Sequence, residues 1–317
     1  MYLKHSINQA SRLRQNSNCV VMVPPKEFQF NQQTAEDNEF QIPVSLNKKQ
    51  VQAAVMTEFK AMVVGLRSHG IQVVELDYKL AESITPDAVF PNNWFNTQVA
   101  GTLTTFPMAC SNRQSEVRTD ELILALGQAG RTVKQLNSMT HLIEQECYLE
   151  STGVMVMDHL NKTIYAAVSH RCNRQALEEY AQQVGYPHII AFDTELPSGA
   201  SVYHTNVMMS VGERFAVICD EVIPEFERRL VVKNLAKSKQ VISISRDQMS
   251  QFCGNVLQLE NQRGDKFIAL SQSAYRAFTS GQRAQLATHG KLLPFDVSMI
   301  ETIGGGSVRC MLAEIFF

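Results

Sequence analysis

One local pattern recurs along this chain and limits its fold more than any other feature: two short strands, a helix, then a third strand. The clearest copy starts after Gly153. Residues 154–157 are predicted as a strand, Asp158-His159-Leu160-Asn161-Lys162 as a turn, and 163–168 as the partner strand, since Thr, Ile, Tyr and Val suit a pleated sheet. Residues 173–184 then carry Leu177, Tyr180, Ala181 and Val184 at helical spacing. Gly185-Tyr186-Pro187 stops that helix, and 188–192 is the next strand. A second copy has strands at 207–211 and 215–219 around Gly212-Glu213-Arg214, a helix over 224–236 and a strand at 240–244. A third runs through 255–259, 266–270, a helix over 272–288 and the strand after it. An earlier one uses 87–95, 101–107, 118–130 and 131–136, and the N-terminal one uses 19–23, 48–69 and 71–76. Residues 310–317 are left over as a strand able to close a ring. Units of roughly 50–60 residues that cannot bury a face alone point to a closed array of repeats. An ordinary mixed α/β sheet shares the same local patterning.

The bulk composition excludes several classes. A chain of 317 residues fits about two domains by length, yet propeller-like folds of this size can be one, and 1–317 is expected to be a single domain. The 29 basic and 31 acidic residues are scattered, so neither a nucleic-acid stripe nor a charged tail is present. No apolar run reaches the roughly 18 residues of a membrane span, and Met1-Tyr2-Leu3-Lys4-His5-Ser6 lacks a signal-peptide core. Seven cysteines, at 19, 110, 147, 172, 219, 253 and 310, form no CxxC pair. Free thiols in a reducing cytoplasm are expected, with neither a disulfide framework nor a zinc site.

Chemistry concentrates in a few segments. Gly304-Gly305-Gly306-Ser307-Val308-Arg309-Cys310 removes side chains from the backbone just before a cysteine and sets a fixed cation next to it in sequence. A nearby positive charge favours thiolate, the reactive form. The segment reads equally as a nucleophile presented to a ligand or as a buried cysteine in a terminal strand. No helix-length segment follows the glycines, so a phosphate cradle is excluded. Three further polar segments stand before strands: Phe90-Pro91-Asn92-Asn93-Trp94, Cys147-Tyr148-Leu149-Glu150-Ser151-Thr152-Gly153 and Tyr203-His204-Thr205-Asn206. Each has a plainer reading, a turn for Asn92-Asn93, a solvated carboxylate for Glu150 and a hydrogen-bonded histidine for His204.

Taken together and in this order, these segments resemble the guanidino-group-modifying enzymes: arginine deiminases, dimethylarginine hydrolases, succinylarginine dihydrolase and amidinotransferases. The resemblance spans nearly the whole chain. It implies an α/β fold, a five-bladed propeller (pentein) of ββαβ repeats with pseudo-fivefold symmetry and a site on the central axis. It assigns Cys310 as nucleophile, His204 as general acid/base and Glu150 as the group orienting substrate and histidine. Arg113 and Arg171 match the arginines that hold a substrate carboxylate. No metal or organic cofactor is implied. The expected partner is a small amino-acid substrate, not nucleic acid or membrane, and a homodimer is left open.

The departures from the family pattern bear on the substrate. Dimethylarginine hydrolases have an acidic pair where this chain has Asn92-Asn93, and arginine deiminases have Asp where it has Asn206. A desolvated guanidinium wants paired anions, whereas an amide offers one donor and one acceptor function. Asn92, Asn93 and Asn206 are therefore expected to hydrogen-bond a neutral ureido head. The segment Val23-Pro24-Pro25 with Thr34-Ala35-Glu36-Asp37-Asn38-Glu39-Phe40-Gln41 resembles the citrulline-utilisation hydrolase branch, with Asp37 and Asn38 on a loop that closes over the substrate and holds its α-amino end. Citrulline hydrolysis to ornithine, ammonia and carbon dioxide is the reaction so implied. Hydrolysis of arginine or dimethylarginine, amidino transfer, and an inactive amino-acid-binding propeller are the rivals.

Overall fold

Fifteen short strands carry the architecture of the computed structural model, which describes residues 13–80 and 83–317; the stretch Met1 to Ser6 lies outside the described residues. In chain order they are β1 (Cys19–Met22), β2 (Gln72–Glu75), β3 (Phe95–Thr97), β4 (Thr102–Thr105), β5 (Gln135–Ser138), β6 (Val156–Asp158), β7 (Thr163–Ala167) and β8 (His188–Phe192). Then follow β9 (Met209–Val211), β10 (Phe215–Ile218), β11 (Gln240–Ser243), β12 (Leu257–Glu260), β13 (Lys266–Ser271), β14 (Lys291–Phe295) and β15 (Ala313–Ile315). They form five three-stranded sheets, β3-β4-β5, β6-β7-β8, β9-β10-β11, β12-β13-β14 and β15-β1-β2. In every sheet the middle strand pairs antiparallel with one neighbour and parallel with the other. The antiparallel pair needs only a tight turn, whereas the parallel pair needs a crossover, and a helix supplies it. The fold is thus the five-bladed α/β propeller of ββαβ units, closed by the last strand, β15, joining the first blade.

The sequence dictates where each unit stops. Helix Lys48–Ser68 is entered through a capping box of Asn47 and Gln50, and helix Arg174–Val184 is capped by Asn173 and ended by Gly185 at φ 70°. The single helix expected over 272–288 is two, Gln272–Ala277 and Ser280–Ala287, because Thr279 and Gln282 form a capping box that starts a new helix. Three of the expected strands, 87–95, 207–211 and 310–317, begin or run through turns instead: Pro91–Asn93 and Thr205–Met208 are helical, and 308–311 is a hydrogen-bonded turn. Each turn stands directly before the first strand of its blade, and so does helix Ser151–Val154 before β6.

Burial grades outward from the axis. Strands β3 and β6 are wholly buried, whereas the third strands β11 and β14 have one buried position each, Ile242 and Leu293. Neighbouring blades are tied by buried polar pairs. Thr97 Oγ1 donates to Glu314 O at 2.9 Å and accepts from Phe316 N at 3.0 Å, joining β3 to the closing strand. Tyr180, on the helix after β7, shares a hydrogen bond with the Asn96 side chain of β3 at 2.7–2.9 Å. All seven cysteines are free, and no helix among the described residues is long and apolar enough to cross a membrane.

Removing the hydroxyl in Tyr180→Phe leaves the buried Asn96 amide unpaired. The expected outcome is a loss of about 1–3 kcal/mol in chemical denaturation, with the fold retained.

Candidate active site

The helical turns before the inner strands set the site. Cys310, in the turn before β15, is 2% exposed. It lines one very small cavity with Asn38, Asp87, Phe90, Asn93, Arg113, Arg171, Tyr203, His204 and the glycines 304 and 306. The glycine run makes this wall by close packing. A Cβ on Gly304 or Gly306 would meet the Phe90 ring at 2.9 Å, and Gly305, at φ +62°, turns under Asn38 and Gln41. Tyr203 Oη donates to Gly305 O at 2.6 Å, which pins the run to the blade carrying His204.

Glu150 is the electrostatic centre. Its carboxylate has no exposed surface, accepts from Ala109 N at 3.0 Å and from His204 Nε2 at 2.7 Å, and lies 3.5 Å from Arg171 Nη1 and 3.8 Å from Arg113 Nη1. Burial alone would raise its pKa, but Arg171, His204 and Arg113 together hold it far below the usual carboxylate range. Nε2 is therefore the protonated nitrogen of His204, which leaves the Nδ1 lone pair available. Burial, with the two arginines, lowers the His204 pKa against the pull of Glu150, so the imidazole is neutral at neutral pH. Its Nδ1–Cε1 edge lies against Gly153, where a Cβ would come within 3.0 Å of both atoms and would also strike Asn93 Nδ2.

At the sulfur, burial pushes the Cys310 thiol up, and hydrogen bonds from the Ser307 backbone and Asn255, the charge of Arg309 and the Asn206 amide counter this only in part. The Arg309 guanidinium, expected to favour thiolate, is engaged elsewhere. It donates to Leu312 O at 2.9 Å and pairs with Glu314 at 3.4 Å. Asn255 Nδ2 instead donates to Sγ at 3.2 Å, and Asn206 Nδ2 lies at 3.6 Å.

Several expected roles meet a different geometry. Arg113 has its donors taken: Nε and Nη2 by Glu116, Nη2 also by the carbonyls of Asp87 and Phe90, and Nη1 by Asn93 Oδ1 at 3.0 Å. It braces the wall and offers no free fork to a substrate carboxylate. Arg171 gives its fork to Asp37 and lies over the Tyr203 ring at 5.0 Å, so the loop acid occupies the place assigned to that carboxylate. Asn38 reaches Gly304 O at 3.4 Å and lines the cavity. Asn92 donates to Thr152 Oγ1 at 3.2 Å and is not among the cavity-lining residues; of the Asn pair only Asn93 is. Asn206 lies beside the sulfur and also lines a second cavity.

Among the described residues, two polar atoms on the cavity walls are buried without a partner, Asp87 Oδ1 and Asn93 Nδ2. Asp87 Oδ2 is taken by Asn31 at 2.7 Å and Thr34 at 3.1 Å, and burial pushes the Asp87 pKa up. Asn255 was not singled out as a site residue from the sequence. The available signal for Asn255 was repetition, because Asn206-Val207 and Asn255-Val256 both stand before the first strand of a blade.

Residues 24–317 match the model of the family described as N,N dimethylarginine dimethylhydrolase, eukaryotic. Curated protein sequences give no match. Among solved structures, the N-terminal domain of ArgZ, an arginine dihydrolase from the ornithine-ammonia cycle in cyanobacteria, is similar in a serine-for-cysteine variant bound to substrate. Its TM-score is 0.71 at 13% identity, covering 94% of this chain and 99% of that one. A serine-for-asparagine variant of the same domain, covalently bound to a reaction intermediate, has TM-score 0.71 at 13% identity and covers 93% and 97%. Dimethylarginine dimethylaminohydrolase, as a glycine-for-histidine variant in adduct with S-methyl-L-thiocitrulline, has TM-score 0.63 at 14% identity and covers 94% and 100%.

Adding one methyl group in Gly153→Ala drives Asn93 and the His204 ring apart. Steady-state assays are expected to show kcat/KM lowered by about 10²-fold while circular dichroism stays unchanged.

Proposed function

Because the chain belongs to the N,N dimethylarginine dimethylhydrolase family, eukaryotic, and is a hydrolase of non-peptide C–N bonds, we propose that it cleaves the ureido group of citrulline with Cys310 as nucleophile. One observation carries the substrate choice. Arg113 Nη1 donates to the Asn93 side chain at 3.0 Å, and only the amide oxygen accepts from a guanidinium. The amide is thereby fixed with Nδ2, a donor, as its unpartnered end. A ureido oxygen accepts from Nδ2 while a ureido N–H donates to Asp87 Oδ1. A guanidinium offers donors only and would leave Asn93 unsatisfied, at a cost of about 1–3 kcal/mol.

The chemistry follows from a neutral thiol beside a neutral imidazole. The Cys310 proton passes to His204 Nδ1 as sulfur bonds the ureido carbon. His204, now cationic and facing the Glu150 carboxylate, gives that proton to the departing nitrogen as the C–N bond breaks. Water then adds to the thiocarbamate, losing a proton to His204, and the C–S bond breaks with proton return to sulfur. The released carbamate falls apart to amine and carbon dioxide, so citrulline yields ornithine, ammonia and carbon dioxide.

A second reading has a specific observation behind it. The unpartnered Asp87 oxygen and the anionic Glu150 suit a cation, and the similar ArgZ domain is described as an arginine dihydrolase. Ammonia release from purified protein with citrulline, arginine, dimethylarginine and succinylarginine separates the two. Citrulline turnover with ornithine as product is the expected result; turnover of arginine or dimethylarginine without citrulline contradicts the Asn93 argument.

Two further outcomes are expected. Asn93→Asp loses the donor and adds a charge, so kcat/KM for citrulline falls by about 10- to 10²-fold while that for arginine rises. The active pair carries one proton, His204 lies below its ordinary 6.5 and Cys310 above its ordinary 9.0. Protonation of His204 therefore removes activity only below that window and loss of the shared proton only above it, giving a flat kcat/KM between pH 6.5 and 9.0. A tenfold rise per pH unit across the window would mean that thiolate must form before substrate arrives.

A further inference from the structure

The fivefold repeat places one turn before the first strand of each blade. Four of these turns carry residues already described: Asn93, Glu150 with Gly153, His204 with Asn206, and Cys310. The fifth, before β12, carries Asn255, which has no exposed surface. Its amide is used at both ends. Nδ2 donates to Cys310 Sγ at 3.2 Å and to Asn206 O at 2.8 Å, and Oδ1 accepts from Arg309 N at 3.0 Å. The turn that delivers it has two costly features. Phe252 is left-handed at φ 59°, and Gly254 lies so close to the His204 blade that a Cβ would strike Val207 O and come within 2.6 Å of Met208 C.

We propose that Asn255 is a catalytic residue that aims Cys310 Sγ and stabilises negative charge on the sulfur as its proton leaves. The proposal rests on Cys310 being the nucleophile. The charged and titratable groups around the sulfur are Arg309 on its own segment and Asp87, Arg113, Arg171, Tyr203 and His204 on the other walls of the cavity. Arg309, Arg113 and Arg171 have their guanidinium donors engaged by Glu314, Glu116 and Asp37. Asn255 is thus the closest side-chain donor to sulfur, and the Asn206 amide, with nitrogen at 3.6 Å and oxygen at 3.8 Å, is a looser second.

The test is the pH dependence of iodoacetamide alkylation at Cys310, followed by peptide mass spectrometry with the other six thiols as internal controls. Asn255→Ala is expected to move the midpoint upward by about one to two pH units. Asn255→Asp, which keeps the shape and the acceptor for Arg309 N, is expected to move it further, by setting an anion beside the sulfur. In both, kcat falls by about 10²-fold with little change in KM. An unmoved midpoint with kcat within about threefold of wild type, even beside a lowered melting temperature, reduces Asn255 to a structural residue and overturns the proposal. If the alanine variant does not fold, the near-isosteric aspartate variant decides alone. Failure of the nucleophile assignment shows separately, as turnover surviving in Cys310→Ala.

Discussion

A carboxylate with no exposed surface, Glu150, is what the rest of the site is arranged around. Two buried guanidinium groups, Arg113 and Arg171, would be untenable without anions beside them. Glu150 lies within 4 Å of both and also takes the Nε2 proton of His204. One group therefore offsets charge on both guanidinium groups, fixes the histidine tautomer and leaves the opposite nitrogen free for chemistry. The surrounding acids are not all needed as anions. Two cations face Glu150, Glu116, Asp37 and Asp87, and burial pushes Glu116 up to about 7 and Asp87 upward as well. The pocket also holds a buried carboxyl oxygen, Asp87 Oδ1, with no hydrogen-bond partner among the described residues.

The loop acid Asp37 ties residues 34–38 to this charge network. Its carboxylate fills the Arg171 fork while its side chain is partly exposed. Asn38, the next residue, forms part of the cavity wall and reaches the Gly304 carbonyl.

The architecture was legible because each repeat announces itself: hairpin turns, β-branched pairs and a capped helix recur in order, and local patterning needs no knowledge of the partner blade. What was hidden is what crosses between blades. Arg113 was read as a substrate ligand, but Glu116, three residues on, consumes its donors, and Asn93 from another segment takes Nη1. Arg309 was read as the cation activating its neighbour, yet Glu314, within the closing strand, claims the guanidinium. Asn255 looked like the start of a strand; only the packing of Gly254 against the adjacent turn brings its amide to the sulfur. Residues 205–208 were split between a loop and a strand because Val207, Met208 and Met209 look like strand formers, while Thr205 Oγ1 donates to Val154 O and accepts from Ala167 N in a helical turn.

The central claim is that citrulline carbon becomes bonded to Cys310 during turnover. Acid quenching within the first turnovers, followed by peptide mass spectrometry, tests it directly. The account predicts a thiocarbamate adduct on the peptide containing Cys310, absent from the other six cysteines and absent when substrate is omitted. Turnover of citrulline with no adduct on Cys310 in wild type, and undiminished turnover in Cys310→Ala, would contradict it.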